Sequence, residues 1–157
     1  KGVSIAKLDD ARRSLSKKSR RIVQYKGKLL SRIEYCDDPR ISFITIPFDE
    51  IETYSHEYNP SMLVIDEMRM TEGIQVAIAF KTYPDGKITA KIRSNFGYKV
   101  AGGIAEHFGG GGHSYAAGFK VSSGKKIDDI KAECIRVAVE LLDKQKERGN
   151  ETIQHSF

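Results

Sequence analysis

Four consecutive glycines, Gly109 to Gly112, run straight into His113, and Ala116-Ala117-Gly118 follows after Ser114 and Tyr115. With no Cβ in the run, the chain there can reach positive φ and lets a ligand touch bare backbone. Its amide N–H groups can converge on an anion, as they do in phosphate-binding nests. His113 adds an imidazole at the rim, a proton donor or metal ligand. Ordering so free a backbone is entropically expensive. A linker would lie between polar, aperiodic segments. Here Val100, Ile104 and Phe108 recur at helical spacing on one side, and Ala117, Phe119 and Val121 alternate as a strand on the other. A glycine loop held between two packed elements reads as a ligand site.

The loop is not a nucleotide loop of the two commonest kinds. A Walker loop ends in Gly-Lys-Ser or Gly-Lys-Thr, whereas this one ends in Gly112-His113-Ser114. The dinucleotide fingerprint opens a helix after a strand. Here the glycines follow a helical pattern and lead into a strand.

Around the loop the patterns alternate between helix and strand. A helix is expected over 4–24, with Arg12, Arg13, Lys17, Lys18, Arg20 and Arg21 on its wet face. Strands are expected over 28–35 and 41–47, with Asp37-Asp38-Pro39 as the turn. A helix over 49–58, capped by Asp49, ends at Asn59-Pro60. Strands follow over 63–66 and 74–82, the second a continuous apolar run typical of a central strand. Pro84-Asp85-Gly86 turns the chain into a strand over 87–93. A helix over 99–108, a strand over 119–122 and a helix over 126–146 complete the order. The sum is an α/β (α+β) fold, a mixed sheet of about five strands flanked by helices, with the glycine-rich phosphate loop between a short helix and a strand.

Length and charge narrow the function. The 157 residues fit one domain, and the net charge of +5 suits an anionic partner without requiring one. No apolar run is long enough to span a membrane, and no secretion signal is visible. Cys36 and Cys134 lie far apart without metal spacing, which fits a reducing, cytoplasmic setting. The chain opens inside helical sequence without an initiator Met, and is expected to be a piece of a longer protein.

Arg93-Ser94-Asn95 sits at a strand end, where the guanidinium can hold phosphate oxygens in a bidentate fork and Ser94 and Asn95 add donors. The catalyst is missing. His56, His107 and His155 are scattered, and Asp9-Asp10, Asp37-Asp38, Asp66-Glu67 and Asp128-Asp129 have no histidine at metal spacing. Two-metal phosphoester hydrolysis needs several such ligands converging. Ser114 beside His113 is adjacency in sequence, which does not supply the geometry of a nucleophile and its base. These residues argue for binding rather than bond breaking.

The series Lys91-Ile92-Arg93-Ser94, then Val100 to Phe119 with its Gly-Gly-Gly-Gly-His and Ala-Ala-Gly, resembles the C-terminal DHH-associated domain of DHH-family phosphoesterases. That family includes RecJ-type exonucleases, nano-RNases and cyclic dinucleotide phosphodiesterases. The resemblance covers residues 28–143 and implies a division of labour. A separate Asp-His-His domain, absent here, would carry two manganese ions, so this chain itself would bind no cofactor. Residues 1–27 would be the helix joining that domain, 28–146 the substrate-binding domain and 147–157 a frayed tail. By the same resemblance Arg93 and Ser94 would contact nucleotide or phosphate. Gly110, Gly111 and Gly112, with Gly109, would line the phosphate loop, and His113 would reach the scissile phosphate. The implied partners are a nucleotide or short single-stranded nucleic acid and the parent's own catalytic domain; self-association is possible. Alone the chain would hydrolyse little or nothing, since separated surfaces lose the effective concentration that linkage gives. Two alternatives stand beside this: a nucleic-acid-binding module like the related domain of alanyl-tRNA synthetases, and a dimerisation domain whose glycines serve packing.

Overall fold

The computed structural model describes residues 4–122 and 124–154. Six strands form one mixed sheet: β1 (Glu34–Tyr35), β2 (Ile41–Ile46), β3 (Val76–Thr82), β4 (Ile88–Ser94), β5 (Gly111–Gly112) and β6 (Ala116–Val121). Their spatial order is β1-β2-β3-β4-β6-β5. Only β2 and β3 run parallel; every other pair is antiparallel. A parallel pair needs a crossover, here made by two helices, α3 (Phe48–Tyr54) and α4 (Pro60–Met70).

β3 explains why its sequence is apolar without alternation. Val76, Ile78 and Phe80 point into one core, shared with α5 (Ala101–His107) and α6 (Ile127–Gln154). Ala77 and Ala79 point into the other, with α2 (Arg20–Leu30), α3 and α4. A strand covered on both faces shows no polar alternation. Phe80, Leu29, Ile44 and Met68 are fully buried; at about 2–5 kcal/mol each on truncation to Ala, such residues dominate the stability of a domain this size.

Several expected elements differ. Residues 63–66 belong to α4, where Leu63, Val64, Ile65 and Met68 are all buried. A short apolar run does not distinguish a strand from a buried helix. Pro60 starts that helix instead of ending its predecessor: Asn59 caps it, accepting a hydrogen bond from the Ser61 N–H at 3.2 Å, and proline suits the first helical position. The helix expected over 4–24 breaks in two. α1 (Ile5–Leu15) buries nothing. Ser19 then caps α2, its hydroxyl accepting from the Ile22 N–H at 3.2 Å. α2 belongs to the domain through Ile22, Tyr25 and Leu29, so it continues through residues 28–30, where a strand was expected, and only Glu34–Tyr35 pairs. α6 runs to Gln154, past the tail expected from 147; residues 155–157, with His155, lie outside the described residues. No described helix is long and apolar enough to cross a membrane.

Candidate functional site

The glycine run does three separate structural jobs. Gly109, at φ 74°, ends α5 in the left-handed conformation. Its N–H donates to the Glu106 carbonyl and that of Gly110 to the Ala105 carbonyl, both at 2.9 Å. This is a Schellman cap, so two of the four amides are already bonded to the helix end. Gly111 and Gly112 form the edge strand β5, opposite Gly118 and Ala117. His113 and Ala116 then exchange both backbone bonds, at 2.8 and 3.3 Å, closing a hairpin through Ser114-Tyr115. Antiparallel pairs alternate between bonded and non-bonded, so Gly112 turns its N–H outward from the sheet edge. A Cβ on Gly110 would collide with the Gly118 carbonyl and with Phe119 Cβ, and one on Gly112 would lie 2.6 Å from the Ala116 oxygen. A Cβ on Gly111 would meet nothing within 4 Å. The run therefore forms a flat glycine edge in place of a nest of four converging amides.

That edge borders an uncovered part of the sheet. α2, α3 and α4 cover the β2–β3 side of the second face. Beyond it the same face presents Lys91 and Arg93 from β4 and Ala116, Gly118 and Lys120 from β6. The floor is flat because Lys91 pairs with Gly118, and Gly118 with Gly111. Three part-buried cations line it, Lys81, Lys91 and Arg93, and none of them, nor the exposed Lys120, makes an ion pair among the described residues. Lys81 donates instead to Asn59 Oδ1 at 2.8 Å, Lys91 to Met62 Sδ at 3.3 Å, and Arg93 to the Ile92 carbonyl at 3.0 Å. Burial, then the neighbouring Arg93 charge, holds Lys91 below the ordinary lysine value. Burial and Lys91 do the same to Lys81. A row of part-desolvated like charges is electrostatically unfavourable in the empty protein and favourable to an anion laid across it.

The structure brings some expected residues together and separates others. Arg93 pairs with Ala116 and Ala116 with His113, so the guanidinium and imidazole residues lie two strand spacings apart, about 10 Å at the backbone. His113 is exposed at the rim. Ser94 faces the other way: it is 2% exposed and donates to the Ser114 carbonyl at 3.2 Å, tying β4 to the hairpin. Asn95 donates to the Arg69 and Ile74 carbonyls at 2.7 and 2.8 Å, fixing the end of α4. His107 meets Glu133 of α6 at 2.8 Å, and with Arg136 it draws the Glu133 carboxyl down to about 2, Arg136 having the larger effect. Lys81 and Lys91 were not among the expected site residues, although Lys91 opens the Lys91-Ile92-Arg93-Ser94 series and, two residues from Arg93 on a strand, must share its face. No group of three His, Cys, Asp or Glu side chains that could hold a metal occurs among the described residues. A cleft of about 450 Å³ lies elsewhere, along α6, lined by Arg40, Tyr98, Leu142 and Gln145 among others. The cationic face is an open shelf that needs a second surface to enclose a ligand.

The DHHA1 domain model matches residues 51–140. No curated protein sequence matches the chain. Among solved structures, an exopolyphosphatase-related protein from Bacteroides fragilis superposes with a TM-score of 0.72 at 17% identity, over 88% of this chain and 40% of that one. A pGpG-specific phosphodiesterase, PggH, from Vibrio cholerae gives 0.52 at 10% identity, over 76% and 38%. The C-Ala domain of Aquifex aeolicus alanyl-tRNA synthetase gives 0.43 at 18% identity, over 70% and 96%. The chain thus spans about two fifths of the length of the first two, and the likeness to them is one of fold.

Proposed function

The chain belongs to the DHHA1 domain family, and from that membership and its uncovered cationic shelf we propose that it is the substrate-holding part of a DHH phosphoesterase. The observation that carries the reading is the row Lys81–Lys91–Arg93, part-buried and without carboxylate partners, beside a glycine floor. Its substrate would be a nucleotide, a cyclic dinucleotide or a short oligonucleotide, with phosphate oxygens held by Arg93 and Lys91 and by the outward N–H of Gly112. His113, at the rim, would face the phosphate from this side. Ser94 and Asn95 support the reading indirectly, by fixing the hairpin and the strand end that carry Arg93. No cluster of His, Cys, Asp or Glu among the described residues would hold two manganese ions, so metal and hydrolysis belong in this reading to a companion Asp-His-His domain closing over the shelf. An open shelf suits that arrangement, because closure by a second wall would expel bulk water and strengthen the contacts to phosphate, leaving only the water that attacks.

The test is calorimetric titration of the chain with adenosine 5′-monophosphate. Arg93→Ala is expected to weaken binding by about 1–3 kcal/mol, the range for a charged hydrogen-bonded contact. Unchanged affinity would remove Arg93 from the site.

One observation favours a second reading, a module for longer nucleic acid: α1 buries no residue and carries Arg12 and Arg13 in its last turn. In that case affinity would grow with oligonucleotide length and fall steeply with salt.

A further inference from the structure

Phe96 is the most exposed aromatic side chain among the described residues, at 93%. Its ring lies parallel to Tyr115, with centroids 6.0 Å apart and planes 19° apart. The pair is set by backbone rather than chance. Asn95 to Tyr98 forms a turn, closed by the Tyr98 N–H donating to the Asn95 carbonyl at 3.0 Å. The Ser94 N–H donates to the Tyr115 carbonyl at 3.0 Å, and the Gly97 N–H reaches the Tyr115 hydroxyl at 3.5 Å. Asn95 itself is anchored through its side chain on two carbonyls. A phenylalanine on an anchored turn, open to water on both ring faces and set alongside a second aromatic ring, resembles a stacking platform more than a loose hydrophobe.

Its location decides the occupant. Phe96 is three residues past Arg93, and Tyr115 is the residue between Ser114 and the Ala116 that pairs with Arg93. The aromatic pair thus lies at the same end of β4 and of the hairpin as Arg93 and His113. An aromatic face next to an anion-holding row is the arrangement used for single-stranded nucleotides, phosphate on the cations and base on the ring. Accordingly, we propose that Phe96, beside Tyr115, is the nucleobase-stacking subsite of this domain, and that it makes the site prefer nucleotides over phosphate esters without a base. The proposal rests on the phosphate-shelf reading above for its anchor. Stacking tolerates any base, because every base has a π face. The platform therefore gives selectivity for a base without selectivity among bases.

The experiment compares adenosine 5′-monophosphate, ribose 5-phosphate and adenosine by NMR titration of the 157-residue chain and of Phe96→Ala. Stacking is worth about 1–3 kcal/mol per base, which at 1.4 kcal/mol per tenfold is about 5- to 150-fold in affinity. The parent chain is expected to bind the nucleotide tighter than ribose 5-phosphate by a factor in that range. Phe96→Ala should bring the two to parity without changing ribose 5-phosphate binding, and Phe96→Trp should restore the difference. Equal affinity of the parent for nucleotide and sugar phosphate would overturn the proposal. So would a preference for the nucleotide that survives in Phe96→Ala. If neither phosphate compound perturbs the shelf, the phosphate reading fails by itself. Adenosine then decides the rings: upfield shifts of the Phe96 and Tyr115 ring protons would keep the platform, and unmoved rings would overturn it.

Discussion

Replacing Lys91 by Met should stabilise the empty protein and impair its binding, two effects of opposite sign from one side chain. Lys91 and Arg93 occupy alternate positions of β4 and share a face, so their residues lie about 7 Å apart. Two unit charges at that distance repel by about 2.4 kcal/mol at an effective dielectric of 20, and by about 0.6 kcal/mol in water. Both side chains are partly exposed, so solvent screening places the expected gain near the lower limit, about 1 kcal/mol. Methionine keeps the length of the stem and its contact with Met62, the present neighbour of the Lys91 ammonium. The stability assay is urea unfolding at neutral pH in low salt, repeated at high salt, where the gain should shrink because the repulsion is screened. The binding assay is calorimetric titration with adenosine 5′-monophosphate, where a loss of about tenfold is expected from a missing charged contact of about 1.4 kcal/mol. The same lysine is held below its ordinary value by burial and by Arg93. In the empty protein the unfolded state therefore binds more protons than the folded state as pH approaches the lysine range, and stability rises with pH there. Lys91→Met should flatten that rise. A variant that is less stable than the parent, or that binds the nucleotide equally well, would refute the account of the shelf as an uncompensated cationic row.

Two further substitutions separate the floor of the shelf from its packing. Gly111→Val adds side chain into open space at a position without positive φ; thermal unfolding should stay near the parent value while nucleotide binding is lost. Gly110→Val drives a side chain into the Gly118 carbonyl and Phe119, and should destabilise by about 1–3 kcal/mol or more in urea unfolding. Cys134 is fully buried and its thiol is pushed up to about 12 by burial, with a smaller contribution from Glu133. Under native conditions a thiol reagent should therefore label the half-buried Cys36 and reach Cys134 only on unfolding. Labelling of both at equal rates would show that the α6 side of the core is open.

The parts of this fold written in local pattern were legible, and those settled by tertiary contacts were not. β3, the turn at Pro84-Asp85-Gly86 and β4 follow directly from apolar run, turn residues and alternation. α6 announces itself through its apolar stripe, though its length beyond 146 does not. Leu63 to Ile65 read as a strand because three apolar residues in a row fit either element. Only the sheet face beneath, lined by Ala77 and Ala79, makes the helix the better cover. The break between α1 and α2 is visible in hindsight at Ser19, a cap residue sitting inside an otherwise helical pattern. The structure does bring two of the expected residues together, for Arg93 and His113 share one end of one face beside the glycine run. The detailed use of that run was not legible, since a helix cap and an edge strand consume glycines as readily as a nest does. Phe96 lay outside the sequence reading altogether, because nothing in a sequence distinguishes an exposed phenylalanine from a buried one.

The most direct measurement is an amide chemical-shift map of the chain on titration with inorganic phosphate. The shelf predicts shifts clustered on Lys91, Arg93, Gly111, Gly112, His113 and Gly118, with the cleft along α6 around Leu142 and Gln145 unmoved. Shifts confined to that cleft, with the glycine edge and β4 silent, would contradict it.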